Sequence, residues 1–251
     1  MTLDSADDLD RLKEIGRICA KAVSVMGAAI EPGMTTAELD AIGRKVLEEA
    51  GAQSAPELSY KFPGATCISV NEEIAHGIPG PRILQPGDLV NIDVSAEKAG
   101  LFADTGASFA VPPVRREVER LCRDGKRALW VGLNEVRTGR SLAAIGNAIG
   151  AFAKKNRYTL VTNLSSHGVG RSLHEEPTEI ATWPDKQEKR RMEEGMVFTI
   201  EPFLSLGAEW AESSEGDDPW TLYSEPRAPT VQYEHTVVVT RNGPLVVTLA
   251  G

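Results

Sequence analysis

The sequence predicts a mixed α/β domain and raises the duplication of a helix-and-strand unit within it, on three observations. Amphipathic stretches with recognisable caps alternate with short apolar runs bounded by turn residues. Gly33 stands six residues before Leu39 in a helical stretch, and Gly139 stands six before Ile145 in another, an offset of 106 residues. Gly87-Asp88-Leu89-Val90-Asn91-Ile92-Asp93 has its counterpart in Gly195-Met196-Val197-Phe198-Thr199-Ile200-Glu201, an offset of 108. Matches this short also arise by chance, so duplication and coincidence both stay open. A true duplication would bring the two acids together across a pseudo-two-fold axis.

The first helix is expected over residues 5–28. Ser5 suits the N-cap, Asp7 and Asp8 favour the first turn, and Leu9, Leu12, Ile15 and Cys19 form one apolar face. After the break at Glu31-Pro32-Gly33, Thr35 and Glu38 form a capping-box pattern that opens a second helix reaching about Gly51. Strands are expected within 66–79 and 88–112, helices over 115–136 and 141–155, and strands near 159–163, 169–173, 196–201 and 231–248. The acidic stretch 207–229, rich in Gly, Ser and Pro, reads as a long surface loop of the kind that often forms a lid.

A chain of 251 residues can bury a substantial core, and residues 1–251 are expected to form a single domain. The net charge of -9 argues against non-specific binding to nucleic acid or to an anionic membrane. A role at a ribosome would need a local basic patch, and none stands out. The acidic start MTLDSADD lacks a basic segment followed by an apolar one, so it does not read as a signal peptide. No run of about 18 apolar residues could span a membrane. Three scattered cysteines without a CxxC pair suit a reducing compartment, so a cytoplasmic location is expected.

The chemistry is suggested by acids in strand-like surroundings. Asp93 follows Leu89-Val90-Asn91-Ile92, Glu201 ends Met196-Val197-Phe198-Thr199-Ile200, and Glu234 precedes Thr236-Val237-Val238-Val239. An ionised carboxylate removed from water without a partner costs several kcal/mol. A four-residue loop at Glu97-Lys98-Ala99-Gly100 would make Asp93 and Asp104 direct cross-strand partners. One strand aspartate ordinarily faces solvent, but four such acids at edge positions would be a coincidence. Metal ions would turn their repulsion into coordination.

The four histidines also sit in motif-like places. His167, flanked by glycines in Ser-His-Gly-Val-Gly, suits a ligand at a turn. His76 lies in Ala-His-Gly-Ile-Pro and His174 in Leu-His-Glu-Glu-Pro, while His235, beside Glu234, should point to the opposite face of its strand. Four carboxylates and an imidazole make a hard donor set that favours divalent Mn, Fe, Co or Zn. With no phosphate loop and no nucleophile elbow, activated water is the natural nucleophile.

Taken in order, His76-Gly-Ile-Pro79, Gly87 to Asp93, Asp104-Thr105, His167-Gly-Val-Gly to His174-Glu-Glu-Pro177, Glu201-Pro202 and Tyr233-Glu234-His235-Thr236 closely resemble type I methionine aminopeptidase. The resemblance covers nearly the whole chain. It implies a pita-bread fold, with internal pseudo-two-fold symmetry and a central antiparallel sheet covered by helices. It implies two divalent metal ions on Asp93, Asp104, His167, Glu201 and Glu234, with Asp104 and Glu234 bridging. Glu201 would also accept a proton, His174 would stabilise the tetrahedral intermediate, and His76 would hydrogen-bond the substrate peptide. The family's methionine pocket maps onto Phe62, Cys67 and Trp220. Leu173 stands where the familiar bacterial pattern has an aromatic, and Ser59-Tyr60-Lys61-Phe62-Pro63 matches only in part. The implied partner is the N-terminal peptide of new polypeptides, with transient ribosome contact, no nucleic acid or membrane partner, and a monomeric state. Prolidases and Xaa-Pro aminopeptidases share the fold and ligands but generally carry a large N-terminal domain. A non-catalytic binding homologue is the remaining reading, although such proteins usually lose ligands.

Overall fold

A computed structural model describes residues 2–3, 5–213 and 216–250. Met1, Asp4, Ser214, Glu215 and Gly251, which fall in the acidic start, the 207–229 stretch and the C-terminus, lie outside the described residues. The chain opens with α1 (Ala6–Ala29) and α2 (Thr36–Glu49). Both caps form as expected: the Ser5 side chain accepts from the Asp8 N–H, and Thr35 and Glu38 close a reciprocal capping box. Then come β1 (Gln53–Ser54), α3 (Ala55–Tyr60), β2 (Cys67–Val70), β3 (Glu73–Ala75), β4 (Leu89–Lys98) and β5 (Leu101–Ala110). The second half starts with α4 (Arg116–Leu133) and α5 (Ala143–Asn156). Its strands are β6 (Thr159–Leu160), β7 (Ser166–Gly168), β8 (Glu175–Ile180), β9 (Val197–Ile200), β10 (Phe203–Ser205), β11 (Trp210–Ser213), β12 (Leu222–Glu225), β13 (Thr230–Gln232), β14 (His235–Thr240) and β15 (Gly243–Val246).

Two antiparallel sheets organise the molecule. In the first half, β4 pairs with β5 along one edge and with β1 and β2 along the other. In the second half the order is β15-β14-β9-β7-β8. Helices α1 and α2 pack Leu12, Ile15, Met26 and Leu39 against Ile92 and Val94 in one core. Helices α4 and α5 pack Leu121, Leu129, Ile145 and Ile149 against Phe198 and Val237 in a second. Strands β5 and β14 meet where the halves join: the Asp104 N–H donates to Thr236 Oγ1, and the Glu234 N–H donates to the Gly106 carbonyl.

Several expectations need correction. Lys98 pairs with Leu101, so the β4–β5 turn has two central residues and not four. Ala99 (φ 53) and Gly100 (φ 80) both adopt left-handed backbone, the requirement of the tight hairpin turn whose twist matches the strands. The register therefore shifts by two: Asp93 faces Gly106 and Asp104 faces Ser95. The two aspartates are diagonal neighbours on one face rather than direct partners. A strand expected near 169–173 is replaced by β7 and β8 on either side of an irregular Gly170 segment. His167 accordingly sits in a strand and not at a turn. Within 207–229, β11 and β12 form a hairpin whose second strand pairs with β3, so the described part of that stretch is no open loop. Helix α3 escaped notice because it is short and opens on proline.

A basic patch does exist. From Arg115 to Arg157 the chain carries eleven basic and four acidic residues, all of the basic ones exposed on or beside α4 and α5. The whole-chain charge conceals it. Among the described residues no helix is long and apolar enough to cross a membrane.

Candidate functional site

A cavity of about 470 Å³ opens where the two sheets meet. Asp93 on β4 and Asp104 on β5 enter it from the first half, both pointing to one face because of the hairpin register. His167 on β7, Glu201 just after β9 and Glu234 just before β14 enter from the second half. All five expected ligands thus line one space. Ligand atoms of Asp104, His167 and Glu234 lie within 4.8 Å of one another. His167 Nε2 is 3.6 Å from Glu201 Oε1 and 3.8 Å from Asp104 Oδ2.

The electrostatics of this cluster are unfavourable for protein atoms alone. Burial raises the Asp93 pKa to about 6 and holds Asp104, Glu201 and Glu234 well above the ordinary carboxylate range, with neighbouring carboxylates adding to the rise at the last three. Burial, with a further contribution from His174, lowers the His167 pKa to about 3, so its ring is neutral. His167 Nδ1 lies 3.0 Å from the Gly168 carbonyl, which fixes the proton on Nδ1 and leaves the Nε2 lone pair facing carboxylate oxygens. Asp104 Oδ1 and Glu234 Oε1 are buried without any hydrogen-bond partner. Two orphaned oxygens beside an imine lone pair are the donors that a divalent cation needs, and the residues fit that group.

The sequence reading missed the frame that aims these groups. Gln232 donates from Nε2 to Glu234 Oε2 at 3.0 Å and to Asp93 Oδ2 at 3.5 Å, and Asn91 Nδ2 holds its Oε1 at 2.8 Å. A Cβ on Gly106 would lie 2.3 Å from that Gln232 Oε1, so any larger residue facing Asp93 would push the Gln232 amide off its present partners. Thr199 donates to Glu201 Oε1, and the Thr105 hydroxyl donates to the Glu234 carbonyl. The signal for Gln232 was available: two residues before Glu234, it shares that residue's face of an extended chain. His235 points away, as expected, with Nδ1 3.0 Å from Thr248 Oγ1 and its ring 6.2 Å from Trp130.

The other expected residues surround the carboxylate–imidazole cluster. His174 packs against His167 with ring centroids 4.1 Å apart and planes tilted by 44°, and opens to the cavity. His76 reaches the same space from a left-handed backbone position (φ 54), a strained conformation of the type found at functional sites. Phe62 packs edge-on against Trp220 at 5.5 Å, and Leu173 and Cys67 complete an apolar wall. Cys67 is the register partner of Asp93, and burial together with that carboxylate pushes its thiol pKa up, keeping it an inert apolar group. Tyr60, within the partly matching Ser59–Pro63 segment, lies 2.6 Å from His174 Nδ1 through its hydroxyl.

Fold and cluster together define a metal-dependent peptidase of the pita-bread architecture. The chain belongs to metallopeptidase family M24, which it matches over residues 10–241. It is similar to a methionine aminopeptidase of Staphylococcus epidermidis (strain ATCC 12228 / FDA PCI 1200), 45% identical over 249 residues that cover 99% of this chain and 98% of the relative. Methionine aminopeptidase 2 of Bacillus subtilis (strain 168) is 43% identical, with 99% of each chain covered. Among solved structures, methionine aminopeptidase from Rickettsia prowazekii superposes with a TM-score of 0.93 at 32% identity, covering 99% of this chain and 100% of that one. Prolidase from Pyrococcus furiosus shares the fold with a TM-score of 0.79 at 21% identity, this chain covering 66% of its length.

Proposed function

We propose that this metallopeptidase is a type I methionine aminopeptidase, which removes the initiator methionine from new polypeptides. One observation carries the reading: a single cavity joins the carboxylate–imidazole cluster to an apolar wall of Phe62, Leu173 and Trp220. Such a wall suits the flexible thioether of a first-residue methionine. Asp93, Asp104, His167, Glu201 and Glu234 are the residues that would hold two divalent ions. When bound, they supply Lewis acidity that lowers the pKa of water and polarises a carbonyl.

The side chains do the rest. Glu201, at the edge of the cluster beside His167, takes the proton from the attacking water. His174 donates to the carbonyl oxygen as negative charge develops there, and His76 hydrogen-bonds the peptide beside the scissile bond. The substrate is the N-terminal peptide of a nascent chain, met in the cytoplasm by a monomeric enzyme. The basic face of α4 and α5 is the surface on which a transient ribosome contact would form.

The metal-reconstituted protein is expected to cleave Met-Ala peptides and to leave Xaa-Pro peptides nearly untouched; the reverse preference would replace this reading with that of a proline-specific relative. A second result concerns Leu173, which is buried in the cavity wall. Leu173→Phe should narrow the accepted first residues, cutting kcat/KM for the bulkiest by roughly tenfold, the scale of one methylene in an apolar pocket. Unchanged selectivity in a peptide-library digest would remove Leu173 from the pocket.

A further inference from the structure

We propose that Tyr60 is a positioning residue which holds His174 as its Nε2–H tautomer, so that a neutral imidazole presents an N–H to the scissile carbonyl. This rests on the reading of His174 as the donor to that carbonyl.

The geometry begins with α3. That helix ends at Tyr60, and Lys61 closes it in a left-handed conformation (φ 58). The reversal sends the two flanking aromatics different ways. Tyr60 lies against His174, with ring centroids 5.6 Å apart and its hydroxyl 2.6 Å from Nδ1. Phe62 goes into the apolar wall against Trp220, whose ring is also 6.5 Å from that of Tyr60. One three-residue segment therefore touches both the side-chain pocket and the imidazole.

A neutral imidazole carries one proton, and the hydrogen bond at one nitrogen decides which nitrogen bears it. The phenol is the better donor of the pair, and the imine nitrogen the better acceptor. The 2.6 Å separation makes this a short, well-formed hydrogen bond. Burial also keeps the phenol above its ordinary pKa, so its proton is retained for donation. With Nδ1 accepting from Tyr60, the proton of His174 must sit on Nε2, the nitrogen remaining for substrate. The backbone is tied as well, since Ser172 Oγ donates to the His174 carbonyl at 3.0 Å. If the proton instead sat on Nδ1 and was donated to Tyr60, the remaining lone pair would repel a carbonyl oxygen.

The test reads the tautomer directly, by nitrogen-15 NMR of histidine-labelled full-length protein, metal-free and loaded with diamagnetic Zn²⁺. The wild type should show His174 with an unprotonated, hydrogen-bonded Nδ1 and a protonated Nε2 in both states. Tyr60→Phe should move His174 toward a tautomer mixture and lower kcat for a Met-Ala peptide about tenfold, with KM and metal content unchanged. A wild-type His174 protonated on Nδ1 overturns the proposal, as does a Tyr60→Phe protein with unaltered tautomer and kcat. His174→Ala serves as the control: normal turnover there would sink the role assigned to His174, and with it the catalytic use of the Tyr60 contact, whatever the tautomer.

Discussion

Asp104→Asn should abolish peptide hydrolysis, lowering kcat by more than the roughly 10²–10³ typical of losing one oxyanion donor. The reason is the position of Asp104, which is nine-tenths buried, ends in an orphaned Oδ1 and lies within reach of both His167 and Glu234. An amide there cannot supply the negative charge that a shared ion needs, so metal content measured after dialysis should fall as well. The same change should act oppositely on the metal-free fold. Asp104 is pushed toward its protonated form by burial, then by Asp93 and Glu201, whereas an asparagine is neutral without taking up a proton. The chelated variant should melt no lower than the chelated wild type. Normal turnover would end the assignment of Asp104 as a ligand, and a much lower melting temperature in chelator would make its role structural.

The second large effect is a metal-dependent change in how stability varies with pH. Without metal, burial raises the Asp93 pKa to about 6 against 3.8 for the free group and holds Asp104, Glu201 and Glu234 well above their ordinary values. Between the unfolded values and the folded ones these carboxylates bind more protons in the native state, so their contribution to stability falls as pH rises. Burial lowers the pKa of all four histidines, and their contribution runs the other way, growing as pH rises towards their unfolded value of 6.5. Metal loading requires deprotonated ligands, so the difference in melting temperature between Mn²⁺-saturated and chelated protein should be larger at about pH 7.5 than at about pH 5. Parallel melting curves in chelator and in Mn²⁺ would mean that these carboxylates are not what the cation neutralises.

Much of this was written in local sequence. The caps at Ser5 and Thr35 and the glycine-led apolar runs before Asp93 and Glu201 announced both helices and both acid-bearing strands. All five expected ligands meet because acids in apolar surroundings must be compensated somewhere. The failures have separate causes. Counting a symmetrical loop around Asp93 and Asp104 ignored the left-handed pair Ala99-Gly100, and a two-residue error in register followed. The pairing of β12 with β3 joins residues some 150 positions apart, and no local pattern announces it. Gln232 and Tyr60 were overlooked because an amide and a phenol carry no mark of function until the fold shows what they touch. The charge on α4 and α5 was hidden by averaging over an acidic chain.

The centre draws two carboxylates from β4 and β5 and its other donors from His167, Glu201 and Glu234, across the join of the two halves. A polypeptide made only as far as β5 holds both aspartates and none of those second-half donors. Neither half alone can therefore compensate its own buried acids, and the capacity to hold a cation appears only when the two sheets dock.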